Sequence, residues 1–236
     1  MFGITLSGLD EYGTPGFRDA IERRQFEKHE VGILYSEKRL GTTRYPDYKL
    51  INRLFELPRV SLHLCGRAVY DLIRKGRVSN ELESLINIAD RVQLNISATE
   101  WSPKTVAKNL NSVNSAMAWI IQFRENSLDN CVEIADLLFN PHFLFDSSGG
   151  RGELPDSWPT IDLPNMGAAG GLNPENIRAN LDLMRERGYI RDGFWIDVES
   201  GVRTDDRWDW DKARAFIENT EDAQSIMEVV PRSASI

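Results

Sequence analysis

The sequence predicts a (β/α)₈ barrel, on three observations. Short strand-like runs alternate with amphipathic helical stretches from one end of the chain to the other; there are eight such runs; and 236 residues suits one barrel domain, which commonly uses about 200–250. Eight alternations favour a closed barrel over an open doubly wound sheet. A single domain spanning 1–236 is expected, with no low-complexity linker and no close internal repeat.

The strand-like runs are "FGITLSG" (2–8), "VGILYS" (31–36), "VSLHLCG" (60–66), "VQLNIS" (92–97), "AMAWIIQF" (116–123), "HFLFD" (142–146), "MGAAGG" (166–171) and "GFWIDVE" (193–199). Helical periodicity fills "PDYKLINRLFEL", "PKTVAKNLNSVN", "SLDNCVEIADLL", "PENIRANLDLMRERG" and "WDKARAFIEN", with Pro or Ser at several starts and Gly after some ends. The sixth unit is the exception. Only nineteen residues separate Asp146 from Met166, so its helix must be short or irregular.

Composition narrows the partners. There are 36 acidic against 28 basic residues, a net charge of −8, and the cations are scattered among acids, so neither nucleic acid nor an anionic membrane is expected. No apolar stretch approaches a membrane span. Cys65 and Cys131 have neither zinc nor redox spacing, and the N-terminus lacks a leader pattern, so a soluble cytoplasmic protein with free thiols is expected.

Period-two reading divides the strands into two faces. Phe2, Ile4, Leu6, Val60, Leu62, Leu64, Val92, Leu94, Ile96, Phe143, Phe145, Phe194, Ile196 and Val198 form an apolar face expected to meet the outer helices. The other face carries Thr5, Ser7, Ser61, His63, Cys65, Gln93, Asn95, Gln122, Arg124, Asp146, Asp197 and Glu199. In a barrel it points inward, and most of its polar groups lie toward the C-terminal strand ends, where barrel active sites are built. Buried polar groups need partners. Gln93, Asn95 and Gln122 could satisfy one another; Asp146, Asp197 and Glu199 are stronger candidates for function.

"FLFDSSGGRG" (143–152) runs a buried strand into an acid and a glycine-rich turn. Asp146 capping its own backbone is one explanation. "GAAGGLNPENI" and "VESGVRTDD" place Gly170, Gly171, Ser200 and Gly201 at the ends of strands seven and eight, the first pair before a helix expected to begin with Pro174. Small residues at those two ends, with a helix N-terminus nearby, suit a phosphate site.

"FDSSGGRG", "AAGGLNPENI" and "IDVESGV" resemble the strand six, seven and eight motifs of the phosphoribosylanthranilate isomerase family, a (β/α)₈ enzyme of tryptophan biosynthesis. "TLSGLD" resembles that family's first strand, "LYSEKRLGTTRYP" its strand-two loop, and "VQLN" stands where the family usually has Gln-Leu-His. The resemblance implies a cofactor-free Amadori rearrangement that turns a phosphorylated aminoaldose into an aminoketose. It further implies Asp146 as the general acid, Gly170, Gly171, Ser200 and Gly201 as phosphate ligands, Arg44 against the anthranilate carboxylate, and Asp197 on sugar hydroxyls. The glycine-rich loop beside Asp146 would fold over the substrate.

Strand one departs from the pattern. The family's base is a cysteine followed by glycine, and Ser7-Gly8 stands there. A thiol can be tuned to ionise near neutrality, whereas an alkoxide needs a neighbouring base. His63 and Cys65 are the nearest replacements, and each could equally be core. Three readings stay open at the level of sequence. The chain is an isomerase of the family with a displaced base; or it isomerises, epimerises or cleaves another sugar phosphate, with His63, Asp146, Asp197 and Glu199 as a conceivable metal set although their spacing supports none; or it is a non-catalytic barrel that binds a phosphorylated metabolite. The sequence does not indicate an oligomeric state.

Overall fold

A computed structural model of the protein describes residues 3–11, 13, 29–96 and 101–229. Eight parallel strands close on themselves in sequence order: β1 (Gly3–Ser7), β2 (Glu30–Tyr35), β3 (Val60–Leu64), β4 (Arg91–Leu94), β5 (Ala118–Phe123), β6 (Pro141–Phe145), β7 (Met166–Ala168) and β8 (Trp195–Val198). β8 pairs with β1 from Gly3↔Trp195 to Leu6↔Val198, which seals the barrel. All eight expected strands are present. Cys65, Asn95, Asp146, Gly170, Gly171 and Glu199 lie just beyond their strand ends, in the loops that form the mouth. Phe2 and Ser97, at the margins of the expected first and fourth strands, lie outside the described residues.

Among the described residues the α-helices are α1 (Tyr48–Leu54), α2 (Arg67–Lys75), α3 (Asn80–Ile88), α4 (Pro103–Asn114), α5 (Leu128–Ala135), α6 (Ile177–Glu186) and α7 (Trp210–Val229). Pro103 opens α4 with its missing N–H where no partner is needed, and the Ser102 side chain caps the Thr105 amide. The strand residues expected to face outward, from Ile4 and Leu6 to Ile196 and Val198, share one apolar core with the inner faces of these helices.

The sixth unit has no helix among its described residues. Its connection packs Trp158, Ile161 and Leu163 where a helix would lie. The Trp158 ring meets Phe145 and Tyr189 edge-on, and its indole N–H donates to Asn180 of α6 at 2.9 Å. Burying such a side chain is worth about 1.5–3 kcal/mol, enough to hold a short irregular crossover.

Inside the barrel, Glu30, Arg91 and Thr5 form a floor. Arg91 donates to both Glu30 carboxylate oxygens at 2.8 and 2.7 Å and lies 4.3 Å over the Trp195 ring. Thr5 donates to Glu30 at 2.9 Å. Ile120, Leu144, Ala169 and Trp195 fill the other side. The polar mouth therefore stands on a closed base.

Candidate active site

Asp146 follows β6 and is 3 % exposed. Its carboxylate accepts from the Ser148 amide (3.1 Å), the Ser148 hydroxyl (2.7 Å), the Gly150 amide (2.6 Å) and Gln122 Nε2 (2.6 Å). Asp146 thus does cap its own turn, and the same bonds fix its carboxylate at the mouth. The turn needs the left-handed backbone that glycine tolerates, with φ of +61° at Gly149 and +87° at Gly150. Gln122 pairs with Asp146, leaving Gln93 to bond Asn95 at 2.8 Å, so the three amides do not form the single network that sequence allowed.

Across the barrel, the Ser7 hydroxyl donates to Asp197 Oδ1 at 2.5 Å, and His63 Nδ1 lies 3.9 Å from Asp197 Oδ2. A β-carbon on Gly32 would come 2.2 Å from Ser7 Oγ and 2.8 Å from the His63 ring, so only glycine admits this cluster. Burial pushes the Asp197 carboxyl up to about 7; the Ser7 hydrogen bond opposes the rise, and the charges of Glu199, Glu30 and Asp146 add to it. Burial, helped by Arg91, drives His63 down to about 3, so its ring is neutral at ordinary pH. Burial pushes the Cys65 thiol up to about 11.

At the ends of β7 and β8, the Gly170 and Gly171 turn is tied by Asn176, whose side chain donates to the Gly171 carbonyl at 2.9 Å. The described residues offer no acceptor to the Gly170 or Gly171 amide. A β-carbon on Gly201 would come 2.0 Å from the Leu172 carbonyl, so the two loops touch. The helix after this turn starts at Ile177, not Pro174. Asn173 accepts the amides of Glu175 and Asn176, and this turn delays the helix by three residues.

Arg44, in the loop after β2, donates to Glu199 at 2.8 Å and to Asp206 at 2.5 Å. It lines a cavity of about 530 Å³ together with Arg39, Tyr45, Cys65, Arg124 and Asp146. A smaller pocket of about 50 Å³ opens onto Asp146, Asp197, His63, Glu199 and the Gly170, Gly171, Ser200 and Gly201 loops. Carboxylates, anion-competent loops and a cationic rim therefore meet at the C-terminal mouth.

Against known proteins, the model of the family described as "PRAI: N-(5'phosphoribosyl)anthranilate (PRA) isomerase" matches residues 91–219. An N-(5'-phosphoribosyl)anthranilate isomerase of Dehalococcoides mccartyi is 31 % identical over 242 residues, covering 94 % of this chain and 97 % of that protein. The chain belongs to the phosphoribosylanthranilate isomerase family.

Solved members of the family share the fold at low identity. The isomerase of Thermotoga maritima superimposes with a TM-score of 0.62 at 19 % identity, covering 94 % of this chain and all of that one. A structure of the isomerase in complex with reduced 1-(o-carboxyphenylamino)-1-deoxyribulose 5-phosphate gives 0.60 at 18 %, with the same coverage. Of the candidate positions read from the sequence, Asp146, Asp197, Glu199, Gly170, Gly171, Ser200 and Gly201 line the small pocket, and Arg44 lines the large one. Ser7, 1 % exposed, lines neither and reaches the mouth only through Asp197. Among the described residues no group of three or more His, Cys, Asp or Glu could hold a metal ion, which corrects the idea of a His63, Asp146, Asp197 and Glu199 set. Asp146 is engaged by Gln122 and its own turn. Sequence reasoning missed Arg39, and it treated Arg124 only as an inward strand residue. Arg39 lies within "LYSEKRLGTTRYP" and Arg124 directly follows "AMAWIIQF", but only folding brings them to one rim.

Proposed function

We propose that the protein isomerises N-(5'-phosphoribosyl)anthranilate to the corresponding aminoketose by an Amadori rearrangement, without a cofactor, within tryptophan biosynthesis. The observation that carries this reading is one small pocket lined together by Asp146, Asp197 and the β7 and β8 glycine loops. A phosphate held by amides of Gly170, Gly171 and Gly201 and by the Ser200 hydroxyl would leave the ribose ring over the two carboxylates. Backbone N–H groups suit a dianion because they carry partial positive charge at no cost in side-chain entropy.

Asp146 is the general acid in this reading: it gives a proton to the furanose oxygen, the C1–O bond breaks, and the nitrogen lone pair forms a protonated imine at C1. Gln122 and Ser148 hold its carboxyl in place. The aromatic ring and carboxylate would extend into the larger cavity, where Arg39, Arg44 and Arg124 supply positive charge. The β6–β7 connection lies against the loops after β7 and β8, with a Gly152 β-carbon position 2.9 Å from Ser200 Oγ, where it would help to shield a bound substrate. A cytoplasmic setting fits two free thiols, Cys65 and Cys131.

The test is the loss of anthranilate fluorescence on turnover. The wild type should convert phosphoribosylanthranilate, and Asp146→Asn should lower kcat by about 10²–10⁴ while retaining the affinity for the reduced product analogue. An inactive wild type would remove the reading. A fully active Asp146→Asn would remove Asp146 from it.

A further inference from the structure

We propose that Asp197 is the base that takes the proton from sugar carbon two, and that Ser7, at the position of the family's cysteine, is a positioning residue that holds it. This rests on the isomerase reading above.

Besides Asp197, the inward face offers Ser7, His63, Cys65 and Glu199; Glu199 is held by the Arg44 guanidinium at 2.8 Å, and each of the other three fails on a physical ground. Ser7 is 1 % exposed and its hydroxyl hydrogen is already committed to Asp197 Oδ1. Its own ionisation would place an alkoxide beside the Asp197 carboxylate. His63 is equally buried and is a very weak base in that position, since its protonated form must sit unsolvated above Arg91. Cys65 borders the larger cavity, but its thiol ionises only near pH 11.

Asp197 has what they lack. It is 8 % exposed, and it lines the pocket shared by Asp146 and the phosphate loops. A ribose anchored after β7 and β8 and protonated from β6 must pass over it. The groups facing Asp197 are Ser7 from β1, Glu30 from β2, His63 from β3, Asp146 after β6 and Glu199 after β8. Burial and the three acids bring its pKa close to neutrality, where a carboxylate is a far stronger proton acceptor than an exposed one. Ser7 donates one hydrogen bond, which opposes the rise in the Asp197 pKa and orients Oδ1. The step balances without a co-reactant. The C2–H bond breaks, its proton goes to an Asp197 oxygen, its electron pair becomes the C1=C2 bond, and the imine π pair returns to nitrogen. The enaminol then gains a proton at C1 and loses one from the C2 hydroxyl.

The experiment compares the wild type, Asp197→Asn, Ser7→Ala and His63→Gln in pH–rate profiles with phosphoribosylanthranilate, including substrate deuterated at C2. Calorimetry with the reduced product analogue reports folding and binding of each variant. The wild type should show an acid limb near pH 7 and a primary isotope effect. Asp197→Asn should bind the analogue and lose about 10²–10⁴ in kcat, with the limb gone. Ser7→Ala should lower turnover without abolishing it and move the limb to higher pH, because the hydrogen bond that orients Asp197 and lowers its pKa is lost. His63→Gln should keep the limb. Wild-type turnover matched by Asp197→Asn, or abolished in Ser7→Ala or His63→Gln with binding intact, overturns the assignment and leaves the isomerase reading standing. A wild type that does not turn over the substrate overturns both.

Discussion

A β-carbon placed on Gly171 would lie 2.3 Å from the backbone nitrogen of Leu154. The end of β7 and the connection leaving β6 are thus in van der Waals contact through bare backbone, and Gly171 also sits at φ +63°. Gly171→Ala must either push the connection away or distort the turn, at about 1–2 kcal/mol for the left-handed backbone alone. Because that turn is proposed to hold phosphate, KM should rise about tenfold or more while Asp146 chemistry persists at saturation. Steady-state kinetics checks this, and an unchanged KM would detach Gly171 from the phosphate.

Arg44 bridges Glu199 and Asp206 with about a third of its side chain exposed. Ion pairs this wet contribute about 0–1 kcal/mol to stability, so Arg44→Met should leave the urea midpoint nearly unchanged. If Arg44 meets the anthranilate carboxylate, the same variant should raise KM for the full substrate and weaken inhibition by free anthranilate. A midpoint that falls sharply while KM holds would make the bridge structural instead.

A different outcome is expected for Arg203 and Asp10, which pair at 2.7 Å with both side chains almost wholly buried. Arg203 also donates to the Gly8 and Asp206 carbonyls at 2.5 and 2.6 Å, joining the loops after β1 and β8. Removing one member of a buried pair strands the other charge, so Arg203→Met should cost about 3–5 kcal/mol in urea unfolding. A loss below about 1 kcal/mol would show that the pair's charges reach solvent or other partners on substitution.

What the sequence made legible follows from what repeats. Period-two alternation separates Ile4, Leu6 and Val198 from Ser7 and Asp197 because strand side chains point to opposite faces whatever the neighbours are. Gly170, Gly171 and Gly201 could be placed at the mouth because each follows a strand that the alternation marks, and all three line its small pocket. The Arg44–Asp206 and Arg203–Asp10 contacts span 162 and 193 positions, and no local pattern encodes them. The roles of Ser7, His63 and Asp197 were blurred for a related reason. Residue type gives each an ordinary proton affinity, and only burial against the others pushes Asp197 up and His63 down.

Those opposite shifts make stability depend on pH in opposite ways. For His63 and His142, with folded pKa values near 3 and 4 against an ordinary 6.5, the folded chain binds fewer protons than the unfolded one between these limits. Their contribution is present above pH 6.5 and is lost as pH falls through the folded values. Asp197, raised from 3.8 to about 7, behaves in reverse: its contribution is complete below pH 3.8 and is lost as pH rises through 7. Above that point the wild type must keep a buried carboxylate ionised beside Glu199, Glu30 and Asp146. Asn keeps the shape and an oxygen for the Ser7 hydroxyl but carries no charge. Asp197→Asn should therefore unfold at a higher urea concentration than the wild type at pH 8, with the advantage shrinking at pH 5, even as its turnover disappears. Matched urea titrations at the two pH values decide the matter: a gain equal at both, or a loss confined to pH 8, would mean that Asp197 is not a strained acid in the folded barrel.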